Sequence, residues 1–167
     1  SRVRLKSAVD ACLKLSPKGK CAKGPHGPIG TWDVSRVTDM SRMFARAKFF
    51  DSEISKWDVS RVQDMNRMFL GARSFNGDLS RWDVSSVNDM DGRFLGASVF
   101  KRKLCGAAWV NSRAKQTAMF EGSPGSISTT VCKLSTGPEV FAPASREKLE
   151  TAINDYYASM AKGDDYA

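Results

Sequence analysis

The sequence predicts an α/β protein built as a short right-handed solenoid: three repeats of 25 residues, a degenerate fourth, a cap at each end, and helices at both termini. Three observations carry this expectation. The stretch Trp32-Asp33-Val34-Ser35-Arg36-Val37-Thr38-Asp39-Met40-Ser41-Arg42-Met43-Phe44 recurs from Trp57 and again from Trp82, at a constant interval of 25 residues. Within each copy the apolar residues change period, from a helix-like cluster such as Val62, Met65, Met68 and Phe69 to a short extended segment before the next Trp. After the third copy the pattern decays, as it must where a terminal unit meets water. A unit this short cannot bury its own apolar face, whereas copies laid together bury one continuous core.

Residues 1–30 are expected to be a helical cap. Val3, Leu5, Ala8, Val9, Cys12, Leu13 and Leu15 fall largely at helical spacings, which predicts an amphipathic helix over 2–15 that Ser16-Pro17 stops. The stretch Gly24-Pro25-His26-Gly27-Pro28-Ile29-Gly30 is not a nucleotide fingerprint: two prolines remove backbone donors, and no strand precedes it with a helix after it.

Residues 31–104 hold the three copies. In each, Ser-x-x-x-Asp (Ser35 and Asp39, Ser60 and Asp64, Ser85 and Asp89) offers side-chain oxygens to the amides that open a predicted helical turn. Segments such as Glu53-Ile54-Ser55 and Asp78-Leu79-Ser80 are expected to be one short strand per copy, paired in parallel at about 4.8 Å. The recurring Trp, Phe and Met residues are assigned to the core by their spacing. The recurring Asp residues are assigned to caps and turns, because a calcium loop concentrates several oxygen ligands within about twelve residues and these acids stand singly. In the third copy Gly92-Arg93 replaces Arg42-Met43 and Arg67-Met68, which predicts looser inner packing there.

Residues 105–135 form the degenerate copy and carboxyl-terminal cap, with Met119-Phe120-Glu121-Gly122 echoing Met68-Phe69-Leu70-Gly71 and a strand candidate from Ile127 to Leu134. Residues 136–167 read as a linker, then a helix from Ser145 to about Ala161 whose apolar face carries Leu149, Ile153, Tyr156, Tyr157 and Met160.

The net charge is +8 and is concentrated at the amino-terminal end, where residues 1–30 hold seven Lys or Arg against Asp10 alone. Such asymmetry favours an acidic partner. The four cysteines fall two before the copies and two after. With one histidine and no Cys-x-x-Cys, a tetrahedral zinc site has poor material. Two local disulfides, Cys12 to Cys21 and Cys105 to Cys132, are the better reading, with four free thiols as the alternative; disulfides imply an oxidising compartment. No apolar run reaches 18 residues, and the chain begins at Ser1 rather than Met, which is what removal of a targeting segment would leave.

The motif Trp-Asp-Val-Ser-x-Val-x-Asp-Met-x-x-Met-Phe at this interval resembles the BspA-like leucine-rich repeat family, known from bacterial surface proteins and mycoplasma lipoproteins and abundant in unicellular algae. The flanks Ala8-Val9-Asp10-Ala11-Cys12-Leu13-Lys14-Leu15 and Cys105-Gly106-Ala107-Ala108-Trp109-Val110-Asn111-Ser112 are similar to cap segments of algal, particularly dinoflagellate, members. The resemblance implies leucine-rich-type repeats, protein–protein interaction or surface display, and no catalytic residues.

Catalysis is not expected. The sequence has no Gly-x-Ser-x-Gly elbow, phosphate loop or metal-ligand cluster, and its lone His26 sits in a Pro/Gly turn. No cofactor, metal, small-molecule substrate or nucleic acid is therefore expected, and any membrane association is at most peripheral. Two functions remain: an accessory subunit of a larger assembly, with a photosynthetic membrane complex of an alga (thylakoid lumen or plastid membrane periphery) as its specific form, or a secreted or cell-surface binder. The expected contact residues are Arg36, Arg61, Arg42 and Arg67, which alignment between copies would gather into basic ridges facing an acidic protein, together with Tyr156 and Tyr157 on the carboxyl-terminal helix.

Overall fold

The structure, a computed structural model, describes residues 1–132. The expected linker, the carboxyl-terminal helix and the end of the 127–134 strand candidate lie outside the described residues.

Regular structure is sparse. Helix α1 spans Arg2–Leu15, a 3-10 turn spans Ile29–Thr31, strand β1 spans Lys103–Leu104, helix α2 spans Ala107–Val110 and strand β2 spans Ser126–Ile127. Strands β1 and β2 pair in parallel as an open two-stranded sheet, Lys103 opposite Ser126 and Leu104 opposite Ile127. The α/β solenoid of three leucine-rich-type repeats, with a strand and a helical turn in each copy, is therefore overturned: among the described residues the three copies contain turns, isolated bridges and irregular chain, apart from the two residues of β1 at the end of the third.

The hydrogen bonds give the physical reason. An α-helix needs every amide to donate four residues back, whereas here alternate amides serve different purposes. In the second copy Met68, Leu70 and Ala72 donate to the carbonyls three residues back, while Met65, Arg67, Phe69 and Gly71 donate to Asp89, Asp91, Arg93 and Leu95 in the third copy. The first copy does the same from Met40, Arg42, Phe44 and Arg46 to Asp64, Asn66, Met68 and Leu70. A left-handed residue recurs every fourth position, at Arg42 and Arg46, Arg67 and Gly71, Gly92 and Gly96, Ala118 and Gly122, with φ between 51° and 69°. That alternation excludes both a helix and a strand. It nevertheless buries Met65, Met68, Phe69 and Ala72, so a succession of three-residue turns mimics the apolar spacing of a helix.

In the first two copies the expected strands fail for a related reason. At Ser55 and Ser80 the amides turn back onto the carboxylates of Glu53 and Asp78. The carbonyls of Ile54 and Leu79 then accept the indole Nε1–H of Trp82 and Trp109 at 3.1 and 2.8 Å, where a ladder amide would otherwise stand. Beyond Ile127 the chain bends, so the predicted strand from Ile127 to Leu134 shrinks to the two residues of β2.

The core is aromatic. Phe44, Phe69, Phe94 and Phe120 form one column of parallel rings with centroids 5.4, 5.5 and 5.4 Å apart. Phe50, Phe75 and Phe100 form a second column, 4.0 to 4.2 Å from the first. The predicted helix over 2–15 is present as α1. It buries Leu5, Val9 and Cys12 and leaves Val3 and Leu15 exposed, and Ser16 closes it by donating its amide to Cys12.

Ala118 is the alanine among these left-handed positions (φ 53°), in the register that glycine fills at Gly92. The left-handed conformation costs an L-residue about 1–2 kcal/mol, while glycine gives back about 0.4–1 kcal/mol through its freer unfolded chain. Ala118→Gly is thus expected to stabilise the protein slightly in equilibrium denaturation. A clear loss of stability would show that the turn carries alanine without strain.

Candidate partner-binding surface

All four arginines singled out from the sequence are exposed. Arg36 follows the turn in which the Asp33 carboxylate accepts both the amide and the hydroxyl of Ser35, at 3.0 and 2.7 Å; Arg61 follows the same turn built by Asp58 and Ser60. The hydrogen bonds from Ser35, with a smaller contribution from the Arg36 charge, hold the Asp33 carboxyl below its ordinary value, and Ser60 and Arg61 do the same for Asp58. Each of these arginines therefore has an ionised carboxylate nearby, which mutes the expected ridge. A second family of turns is built by Asp39, Asp64 and Asp89, whose carboxylates accept the amides of Ser41, Asn66 and Asp91, each at 2.8 Å. The recurring aspartates are thus turn builders.

Arg42 and Arg67 occupy left-handed turn positions. Arg67 lies over Gly92: a Cβ built there would stand 3.2 Å from Arg67 Cγ. The basic columns are accordingly two arginines long, because the third copy has Ser86 in register with Arg36 and Arg61 and Gly92 in register with Arg42 and Arg67. Arg2 pairs with Asp39 at 3.2 Å, and Lys6 pairs with Asp10. No described carboxylate pairs within salt-bridge distance of Arg36, Arg61, Arg42 or Arg67. Tyr156 and Tyr157 lie outside the described residues.

Cys12 and Cys21 form one disulfide, and Cys105 and Cys132 form the other. Both are compatible with an oxidising compartment. Among the described residues no cluster of His, Cys, Asp or Glu could hold a metal ion, and no helix is long and apolar enough to cross a membrane.

The family model described as "Mycoplasma protein of unknown function, DUF285" matches residues 18–130, more than half of the chain. The chain belongs to the DUF285 family. The match runs from the turn after α1 through all the copies and stops short of Cys132. No curated protein and no solved structure matches this DUF285 chain.

Two features of the DUF285 chain escaped the sequence. One is Arg93, fully buried in a column otherwise made of Met43, Met68 and Met119. Its guanidinium carbon lies 4.6 Å from the Trp109 ring centroid, 5.3 Å from Trp82, 5.2 Å from Phe94 and 5.9 Å from Phe69. Burial pushes its pKa down to about 9, and Nε and Nη2 have no hydrogen-bond partner among the described residues. The break in the motif at Gly92-Arg93 was legible, but its consequence differs from looser packing: a cation sits inside an aromatic box. The other feature is the row of fourth-copy amides at Gln116, Ala118, Phe120 and Gly122, which donate to no described residue whereas Met90, Gly92, Phe94 and Gly96 donate to the fourth copy. Its signal was the recurrence of glycine at Gly71, Gly92, Gly96 and Gly122, which marks the left-handed register.

Proposed function

We propose that this chain is a non-catalytic accessory subunit that docks onto an acidic protein surface within a larger assembly. The observation that carries the reading is the set Arg36, Arg61, Arg42 and Arg67: exposed cations held on hydrogen-bonded turns, with no described ion-pair partner, on a chain of net charge +8. Turns that fix the backbone pre-order the charges and lower the ordering cost of docking. Charge of one sign on the surface accelerates encounter with a partner of the other sign and makes association dependent on salt.

The more specific form is a subunit of a photosynthetic membrane complex in an alga, in the thylakoid lumen or at the plastid membrane periphery. It is supported by the likeness of the flanking segments to algal members and by two disulfides that suit an oxidising compartment. The test is whether the native protein co-migrates with a large complex or elutes as an 18.4 kDa monomer. Elution as a monomer would favour a secreted or cell-surface binder. Changing the four arginines together to Gln is expected to leave the melting temperature unchanged or raised, to weaken retention on the complex, and to flatten the salt dependence of that retention. Association that survives the change at every salt concentration would place the contact elsewhere.

A further inference from the structure

Helix α1 stands where a preceding copy would lie, with Arg2 bonded to the Ser41 carbonyl and Leu13 beside the 46–49 turn. As an end cap it should turn a polar face outward. Its inner face carries Leu5, Val9 and Cys12, while its outer stripe runs through Val3, Ser7, Ala11 and Leu15, all exposed. Val3 and Leu15 are 74% and 72% exposed, and Phe49, on the first-copy turn beside the helix, is 64% exposed. These are three of the five large apolar side chains left exposed among the described residues, so such exposure is concentrated at this end. The core has no use for Phe49, since the same register holds Ser74 in the second copy and an exposed Val99 in the third. Phe49 shares a cleft of about 210 Å³ with Leu13, Pro17 and Ala47, which sets it and Leu15 at the same end of α1.

The charge left over at that end is of one sign. Arg2 pairs with Asp39 and Lys6 with Asp10, and Arg4 shares a cleft with Asp33. In the neighbouring cleft Lys20 and Lys56 are matched in number by Asp51 and Glu53. Lys14 and Lys18 at the end of α1, and Arg46 and Lys48 on the facing turn, remain without an ion-pair partner among the described residues. The Lys18 carbonyl accepts the Asp51 amide at 3.2 Å and the Ser52 hydroxyl at 2.8 Å, which holds this residue next to the turn. The pattern favours one kind of occupant. A protein interface gathers its apolar groups into one packed centre and is depleted in lysine. Here lysine predominates, and Val3 and Leu15 stand about 18 Å apart along the helix. Separate apolar side chains set among Lys and Arg are what rests on an anionic lipid surface.

We propose that the carboxyl end of α1 and the 46–49 turn form a docking surface for an anionic lipid bilayer, into which Leu15 and Phe49 dip while Lys14, Lys18, Arg46 and Lys48 meet the head groups. The contact is peripheral and uses residues other than Arg36, Arg61, Arg42 and Arg67, so it stands apart from the protein-binding reading and leaves that arginine surface free.

The test is co-sedimentation of the full chain with lipid vesicles. The chain is expected to bind vesicles of phosphatidylcholine and phosphatidylglycerol in equal parts, and not vesicles of phosphatidylcholine alone. Phe49→Ser, which installs the residue of the second copy, should lower the partition coefficient about tenfold and leave the melting temperature unchanged. Changing Lys14, Lys18, Arg46 and Lys48 together to Gln should lower it about a hundredfold, whereas the same change at Arg36, Arg61, Arg42 and Arg67 should cost no more than a few-fold. Phe49→Trp gives a second readout: anionic vesicles with brominated acyl chains should quench the fluorescence that this residue adds. Equal losses from the two sets of cations, with Phe49→Ser without effect and Phe49→Trp unquenched, would reduce the binding to net charge and overturn the proposal. Absence of binding to the anionic vesicles would overturn it as well; if Phe49→Ser then weakened retention on the native complex, the surface would belong to a protein partner. Vesicle binding at Phe49 by a protein that elutes as a monomer from native material would instead sink the subunit reading and leave this surface standing.

Discussion

Replacing Arg93 with methionine is expected to stabilise the protein. The guanidinium is fully buried, Nη1 faces the Met90 Sδ at 4.0 Å, four aromatic rings surround it, and no carboxylate pairs with it among the described residues. Removing a cation from water costs several kcal/mol even after relaxation. Cation–π contacts return about 2 kcal/mol or more where the cation is desolvated, which offsets part of that cost without cancelling it. Methionine would restore the column of Met43, Met68 and Met119 and leave no orphaned donor. The expected gain is about 1–4 kcal/mol, by analogy with apolar replacement of buried charges, or roughly 3–15 °C in melting temperature for a domain of this size. The pH dependence supplies a second check. Because burial lowers the pKa of this base from its ordinary value to about 9, the folded chain pays for the charge in full below about pH 9 and is relieved of it progressively as the pH rises above that, where the unfolded chain still holds the proton. The stability difference between the variant and the native chain should therefore narrow above pH 9. A variant that melts well below the native protein would show that the aromatic box outweighs desolvation.

Trp57→Ala should have the largest effect in the other direction. The indole is buried in the second copy, its ring lies 5.8 Å from Phe44, and its Nε1–H donates to the carbonyl of Ile29 at 2.9 Å. Truncation removes the packed volume and the shorter of the two hydrogen bonds to that carbonyl, leaving it the Trp32 amide at 3.3 Å, at an expected cost of about 3–5 kcal/mol, a large share of the roughly 5–15 kcal/mol that holds a domain folded. Thermal melting and denaturant titration both read this out. Native-like melting with loss of partner binding would mean that the tryptophan is a ligand contact and not part of the core.

The buried Phe, Met and Trp residues were legible because a recurrence every 25 residues places like side chains in register whatever backbone carries them. Helix α1 was legible too, since its signals are local: apolar spacing, and a Ser-Pro stop. The turn role of the aspartates follows equally from sequence, as a carboxylate two residues before an amide finds it without help from elsewhere.

The secondary structure of the copies was decided only by tertiary contact. Met65, Met68 and Phe69 have the spacing of a helical turn, and nothing in that spacing reveals that alternate amides leave to bond a chain segment distant in sequence. Likewise nothing around Ile54 announces that a tryptophan far along the chain will take its carbonyl and leave no ladder to build. Local sequence determined which residues turn and which are apolar, because those preferences belong to a few consecutive residues. Where each backbone donor goes was settled by the neighbouring copy, because a hydrogen bond between copies exists only once the chain has folded back upon itself.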